Sequence, residues 1–136
     1  STSAKFGVTF LKLGLVPGDG GTWLLPRVIG EARAAELFFT GDVIDAVTMQ
    51  DWGLVSRVVE PDALLDEAYA LAEKVAAMPP AALRQTKMML RQGRELSYDG
   101  ALELAASTQG LMHHTADHAE GVAALIEKRA PDFSGE

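Results

Sequence analysis

A chain of 136 residues with 48% hydrophobic side chains has enough apolar mass for a core and is no disordered polymer. Its net charge of −7 argues against a nucleic-acid binder, which needs a basic face for phosphates, but leaves room for a local basic spot that holds one phosphorylated ligand. Without cysteine there is no disulfide, thiolate nucleophile or Cys-ligated zinc, and no apolar run reaches the roughly 18 residues of a membrane span.

Residues 5–16 read as an extended or irregular entry rich in Phe, Val and Leu. The opening STSAKFG resembles neither a signal nor a transit peptide and carries no initiator Met, so residues upstream are expected. Gly18, Gly20 and Gly21 then allow backbone geometry closed to other residues. Thr22 to Val28 reads as a short helix with Pro26 inside it or at its end. Glu31 to Phe39 reads as a second helix, its apolar face made by Ala32, Ala35, Leu37 and Phe38, with Gly41 as its terminator. Ala46 to Trp52 is a third, stopped by Gly53. The β-branched alternation of LVSRVVE, residues 54–60, predicts a strand.

The rest reads as helix. Residues 63–78 place Leu64, Ala68, Leu71, Ala72 and Val75 on one face at the 3.6-residue period. Pro79-Pro80 breaks that helix and opens the next, about 80–92. Ser97 suits the N-cap of a helix over 98–113, and Thr115 or Asp117 that of a last helix over 116–129. The chain is thus mostly α with one or two short strands, and helices this apolar must cover something.

Asp19 lies between glycines where two apolar segments meet, and two roles stay open. It can cap the helix that follows. It can also act as an acid/base carboxylate, the helix start lowering its pKa and apolar neighbours Phe10, Leu15 and Trp23 raising it. The absence of Gly-Lys-Ser/Thr argues against a nucleotide P-loop. His114 and His118 have the four-residue spacing of a metal pair, but the helix start between them breaks that geometry, so His113, His114 and His118 read as surface residues and no metal is assigned. Arg84, Lys87 and Arg91 read as a solvated stripe. Lys128 and Arg129 read either as helix-end cations or as a phosphate contact.

Four blocks together, "AKFG…F.KLGLVPGDGGTWLLPRVIG", "A.EL..TG..I.A......GLV..VV", "A..P..A....K" and "T.D..EG..A.IEKR.P.F.G", resemble the crotonase, or enoyl-CoA hydratase/isomerase, superfamily across essentially all 136 residues. The resemblance implies an α/β crotonase-like fold, C-terminal portion. Residues 1–60 would end the β/α spiral core with the Gly-rich active-site loop. Residues 61–136 would form a helical region for oligomerisation and active-site cover. It implies acyl-CoA chemistry through an enolate held by two backbone N–H groups, with coenzyme A as part of the substrate and no other cofactor. Both oxyanion segments, and a glutamate on a Gly-Gly stretch, lie upstream of these blocks in the family, so the isolated chain is expected to be inactive.

Phe10 stands where hydratases of the family carry a second catalytic glutamate. Members that move double bonds or rearrange rings, including those of phenylacetate degradation, often replace it and place an aspartate in the loop. There the order is Pro-Asp-x-Gly-Gly; here it is Pro17-Gly18-Asp19, a shift of one residue. The resemblance makes Asp19 the acid/base candidate, in an acyl slot with Phe10, Leu15, Gly18, Gly20, Gly21 and Trp23, and favours isomerisation over hydration. Lys128 matches a lysine near the adenosine phosphates of CoA, and Leu125 stands where the family often has an aromatic near the adenine. A homotrimer or hexamer and a cytoplasmic setting complete the expectation. The reading from another class is a noncatalytic helical interaction module derived from the same superfamily.

Overall fold

The computed structural model describes residues 1–136. The chain divides into two compact units, Ser1–Ala68 and Tyr69–Glu136. The division falls inside a helix.

The first unit opens with β1 (Lys5–Gly7), then a 3-10 turn (Phe10–Leu13), α1 (Gly21–Ile29), α2 (Glu31–Thr40), β2 (Val43–Asp45) and α3 (Ala46–Asp51). β1 pairs antiparallel with β2 in the register Lys5–Asp45, Phe6–Ile44, Gly7–Val43. This register sets Phe6 opposite Ile44, and both pack against the core built from α1, α2 and α3. Ile29, Ala34, Leu37, Phe38 and Met49 are its buried members, and Met49 is fully buried. The α1–α2 corner turns on Gly30, whose φ of 86° and ψ of 156° lie in a region essentially reserved for glycine. It ends α1 through its N–H on the Pro26 carbonyl and starts α2 through its own carbonyl, bonded by the Ala34 N–H. Pro26 lies inside α1, where it removes one bond of the helix ladder. Asp45 caps α3 with its carboxylate on the Thr48 N–H at 2.8 Å, and that bond holds its pKa below the usual carboxylate range.

Residues 54–60 do not form the strand that their alternation predicts. Leu54, Val55, Val58 and Val59 are half-buried, so the apolar pattern reports packing correctly. A strand also needs a ladder, and the backbone tie of this stretch to the start of the chain is one bond, Thr2 N–H to the Val59 carbonyl at 2.8 Å. The sheet instead uses Val43–Asp45, the short stretch between the second and third helices.

A second 3-10 turn (Pro61–Ala63) leads into α4 (Leu64–Ala76). The stripe predicted on that helix is present in sequence but exposed in the chain, with Leu64, Leu71 and Val75 all at 40% or more. In the second unit, α5 (Pro80–Gln92) packs on α6 (Tyr98–Met112), and α7 (Ala116–Glu127) follows. Ser97 caps α6 through the Gly100 N–H, as predicted, and Thr115 rather than Asp117 caps α7, through the His118 N–H at 3.1 Å. Asp117 has another task. Its buried carboxylate accepts the N–H groups of Ser134 at 2.8 Å and Gly135 at 3.1 Å and so ties the C-terminal tail back onto α7. Phe133 of that tail lies against Gly121. Helix α7 ends two residues before the predicted 129 because Lys128 turns into the left-handed region, φ 55°.

Candidate active site

The glycine loop bends into α1 through Gly20, φ 82°, whose carbonyl accepts the Trp23 and Leu24 N–H groups. A glycine N-cap has no side chain to cap with. Asp19 supplies it from one position earlier, its Oδ1 accepting the Gly21 N–H at 2.9 Å. Gly21 is confined on two sides. A Cβ there would lie 3.0 Å from Asp19 Oδ1 and 3.6 Å from the Phe38 ring. A side chain at Gly21 would therefore press on the Asp19 carboxylate, while the Phe38 ring stands at ordinary contact distance.

Asp19 also faces an open hollow of about 400 Å³ lined by Val8, Gly21, Leu24, Leu25, Val28 and Leu54. It is the sole ionisable group on that wall. Its capping bond uses Oδ1, and Oδ2 has no protein donor. The capping role left open by the sequence is thus observed, and it leaves one carboxylate oxygen free beside an apolar surface.

Of the residues expected in the slot, the structure brings Gly21 to this wall beside Asp19. Phe10 is half-buried in the first 3-10 turn, and neither it nor Leu15, which is exposed, lines the hollow. Trp23 turns to the outside of α1, its ring under the Arg27 guanidinium at 4.0 Å, while Arg27 also donates to the Trp23 carbonyl at 2.9 Å. Gly18 and Gly20 stand in the exposed loop with open space around them. Of the wall residues that the sequence reading did not name, Leu24, Leu25 and Val28 carry a visible signal beside Gly21. Gly21, Leu24, Leu25 and Val28 recur at helical spacing and so share one face of α1. Val8 and Leu54 reach the wall through tertiary packing alone. A neighbouring hollow of about 540 Å³, also within this unit, is lined by Leu11, Pro17, Pro26, Phe38 and Phe39 among others, with Glu31 as its one ionisable side chain.

In the second unit, Lys128 is exposed at the end of α7, and Leu125 lines a 350 Å³ apolar hollow together with Val122 and Phe133. Arg129, its neighbour, is committed elsewhere. It forms a two-pronged ion pair with Glu120, with Nη2 at 2.8 Å from Oε2, and bonds Glu127 through Nε. Lys128 forms no ion pair, which leaves it available to an external anion.

The family model described as enoyl-CoA hydratase/isomerase matches residues 1–136. The chain is 41% identical over 133 residues to the 1,2-epoxyphenylacetyl-CoA isomerase of Escherichia coli, covering 98% of this chain and 51% of that protein. It is 38% identical over 133 residues to a crotonyl-CoA hydratase of Syntrophomonas wolfei, with 98% and 51% covered. Among solved structures, an enoyl-CoA hydratase from Bacillus anthracis superposes with a TM-score of 0.96 at 38% identity, over 99% of this chain and 52% of that one. The chain spans about half the length of the curated relatives it matches. The fold is the crotonase fold that the sequence resemblance implied, represented here by its helices and a short two-stranded sheet. No helix is long and apolar enough to cross a membrane. On the full-length family match and this superposition, the chain belongs to the enoyl-CoA hydratase/isomerase family.

Proposed function

We propose that this chain supplies the acyl-facing loop of an enzyme that shifts the double bond of an enoyl-CoA thioester, with Asp19 as the proton carrier. One observation carries the reading: Asp19 is the sole ionisable side chain on an apolar hollow, and one of its oxygens has no protein donor. The ionised carboxylate takes a proton from C2 of a 3-enoyl thioester, giving the dienolate, and returns it to C4, giving the 2-enoyl product. Donors to the enolate oxygen are needed for this, and the resemblance assigns them to segments outside the residues described here. The Gly21 N–H holds the carboxylate in place so that the proton leaves and returns along a fixed path.

Phenylalanine at position 10 weighs against hydration, because it has no group to activate water. The likeness to an isomerase of an epoxyphenylacetyl thioester supports the same side and offers aromatic acyl groups as a substrate class. The likeness to crotonyl-CoA hydratase keeps hydration as the second reading. Coenzyme A enters as part of the substrate, with Lys128 meeting its phosphates and Leu125 facing its adenine. The exposed leucines of α6 and α7, Leu102, Leu111 and Leu125, support assembly into a trimer or a pair of trimers.

The test is turnover of a 3-enoyl-CoA and of crotonyl-CoA by the chain and by a longer polypeptide that carries it. Isomerisation by the longer protein, lost by about 10²-fold or more in Asp19→Asn, is the expected result. Hydration of crotonyl-CoA that survives Asp19→Asn, or turnover by the chain alone, overturns the reading.

A further inference from the structure

His113 closes α6 and His118 lies in the first turn of α7. Thr115 sets the corner between them: its hydroxyl donates to the Met112 carbonyl at 2.8 Å and accepts the His118 N–H. This brings His113 Nδ1 to 3.1 Å from His118 Nε2, with ring centroids 4.6 Å apart and ring planes 87° apart. Both side chains are exposed, and His114 takes no part in the contact. The pairing is therefore at a five-residue spacing, not the four-residue spacing that sequence reasoning weighed and set aside.

Two geometries bring ring nitrogens this close. If the nitrogens pointed straight at each other across a hydrogen bond, the centroids would lie about 5.4 Å apart, since each nitrogen is roughly 1.15 Å from its ring centre and N···N is in the ordinary range. If both nitrogens addressed one cation at an ordinary metal–nitrogen distance of about 2.05 Å, nitrogens 3.1 Å apart would subtend roughly 100° and put the centroids about 4.8 Å apart. The observed 4.6 Å is near the second value, and a bent hydrogen bond between the two rings reaches it as well. An angle of roughly 100° suits neighbouring ligands in either a tetragonal or a tetrahedral site.

We propose that His113 and His118 form a two-imidazole site for a borderline divalent transition-metal ion, with copper(II) bound most tightly and zinc(II) less so. Imidazole nitrogens favour these ions, and the general order of divalent affinities places copper first. Neutral rings suffice: the proton on the hydrogen-bonding nitrogen moves to the other nitrogen of the same ring, and both lone pairs face the ion. No third His, Cys, Asp or Glu joins the pair, so water fills the other positions and the site stays open to an external ligand. The bound ion staples the corner between α6 and α7.

The experiment is calorimetric titration of copper(II) chloride into the full chain in a non-coordinating buffer, with electron paramagnetic resonance of the product. One ion per chain with hyperfine splitting from two imidazole nitrogens is expected. His113→Ala and His118→Ala should each weaken binding on the order of tenfold or more, and His114→Ala should leave it unchanged. Circular dichroism of the variants shows whether the fold is kept, as their exposure predicts. Zinc(II) chemical-shift changes confined to the two rings give a second readout that no activity assay enters. Equal weakening by all three variants, or none by His113→Ala and His118→Ala, overturns the site.

Discussion

Asp19 and Gly21 share one hydrogen bond, Oδ1 to N–H at 2.9 Å, that both starts α1 and fixes a carboxylate beside an apolar hollow. Capping and catalysis are therefore compatible in this residue, since each uses a different oxygen. Asp19→Asn keeps a capping oxygen and Asp19→Ala removes it. Urea unfolding should show a loss of about 1 kcal/mol for the alanine variant and little change for the asparagine one. Isomerase turnover in the longer protein should fall in both. Equal stability of all three proteins would sink the capping half of this account.

Lys128 holds φ 55° and ψ 40° at the end of α7, a left-handed conformation that costs a side-chain-bearing residue about 1–2 kcal/mol. Glycine relieves it, less its own loss of chain entropy. Lys128→Gly should raise stability by about 0.5–1 kcal/mol, read as a higher urea midpoint. The same variant should raise KM for acyl-CoA in the longer protein while leaving kcat nearly unchanged, because it removes the charge proposed to meet the CoA phosphates. A raised KM with lower stability would instead assign Lys128 to packing.

Met49 is fully buried among Ile29, Leu37 and Phe38 in the core of the first unit. Met49→Ala leaves a cavity there and should cost about 2–5 kcal/mol. Met49→Leu nearly conserves volume and should cost less than about 1.5 kcal/mol. Thermal unfolding of the pair separates cavity formation from any special need for methionine.

Asp117 ties the tail through the Ser134 and Gly135 N–H groups. Asp117→Ala removes an ionised acceptor from a buried position and should cost about 1.5–3 kcal/mol. Its distinguishing sign is local: amide exchange at Ser134 and Gly135 should become fast while exchange in the α1–α2 core stays slow. Thr115→Ala should cost about 1 kcal/mol through the lost α7 cap and spare those two amides.

Glu120 is held down to about 2 by the Arg129 guanidinium first and the Asp132 N–H second. Its folded pKa is thus below its unfolded value of 4.5. The stabilisation it gives is complete above the unfolded value and is lost as the pH falls through about 2. Glu120→Gln should lower the urea midpoint at neutral pH, and the gap to the parent protein should close as the pH approaches about 2. Because the pair is near the surface, added salt should narrow the neutral-pH gap as well.

The helices were legible in the sequence because each is written locally. Apolar spacing, Ser97 and Thr115 as caps, Pro80 as a first-turn residue and Gly41 as a terminator are short-range signals, and α5 is predicted to the residue. The family was legible for a related reason: four blocks in order carry more information than any one motif. Asp19 was identifiable from its glycine neighbours, and its two roles could be named though not chosen between.

What only the tertiary structure decided is which residues meet. Strand pairing joins β1 to Val43–Asp45 across nearly forty residues, whereas the more strand-like 54–60 has no ladder partner. The wall opposite Asp19 takes Val8 and Leu54 from segments flanking α1 at a distance, and Trp23 is turned away although it is close in sequence. His113 finds His118 because a capped corner brings two helix ends together. The physical reason is common to all three. Helix formation is fixed by bonds four residues apart, but strand pairing, cavity walls and side-chain partners depend on where distant segments come to rest.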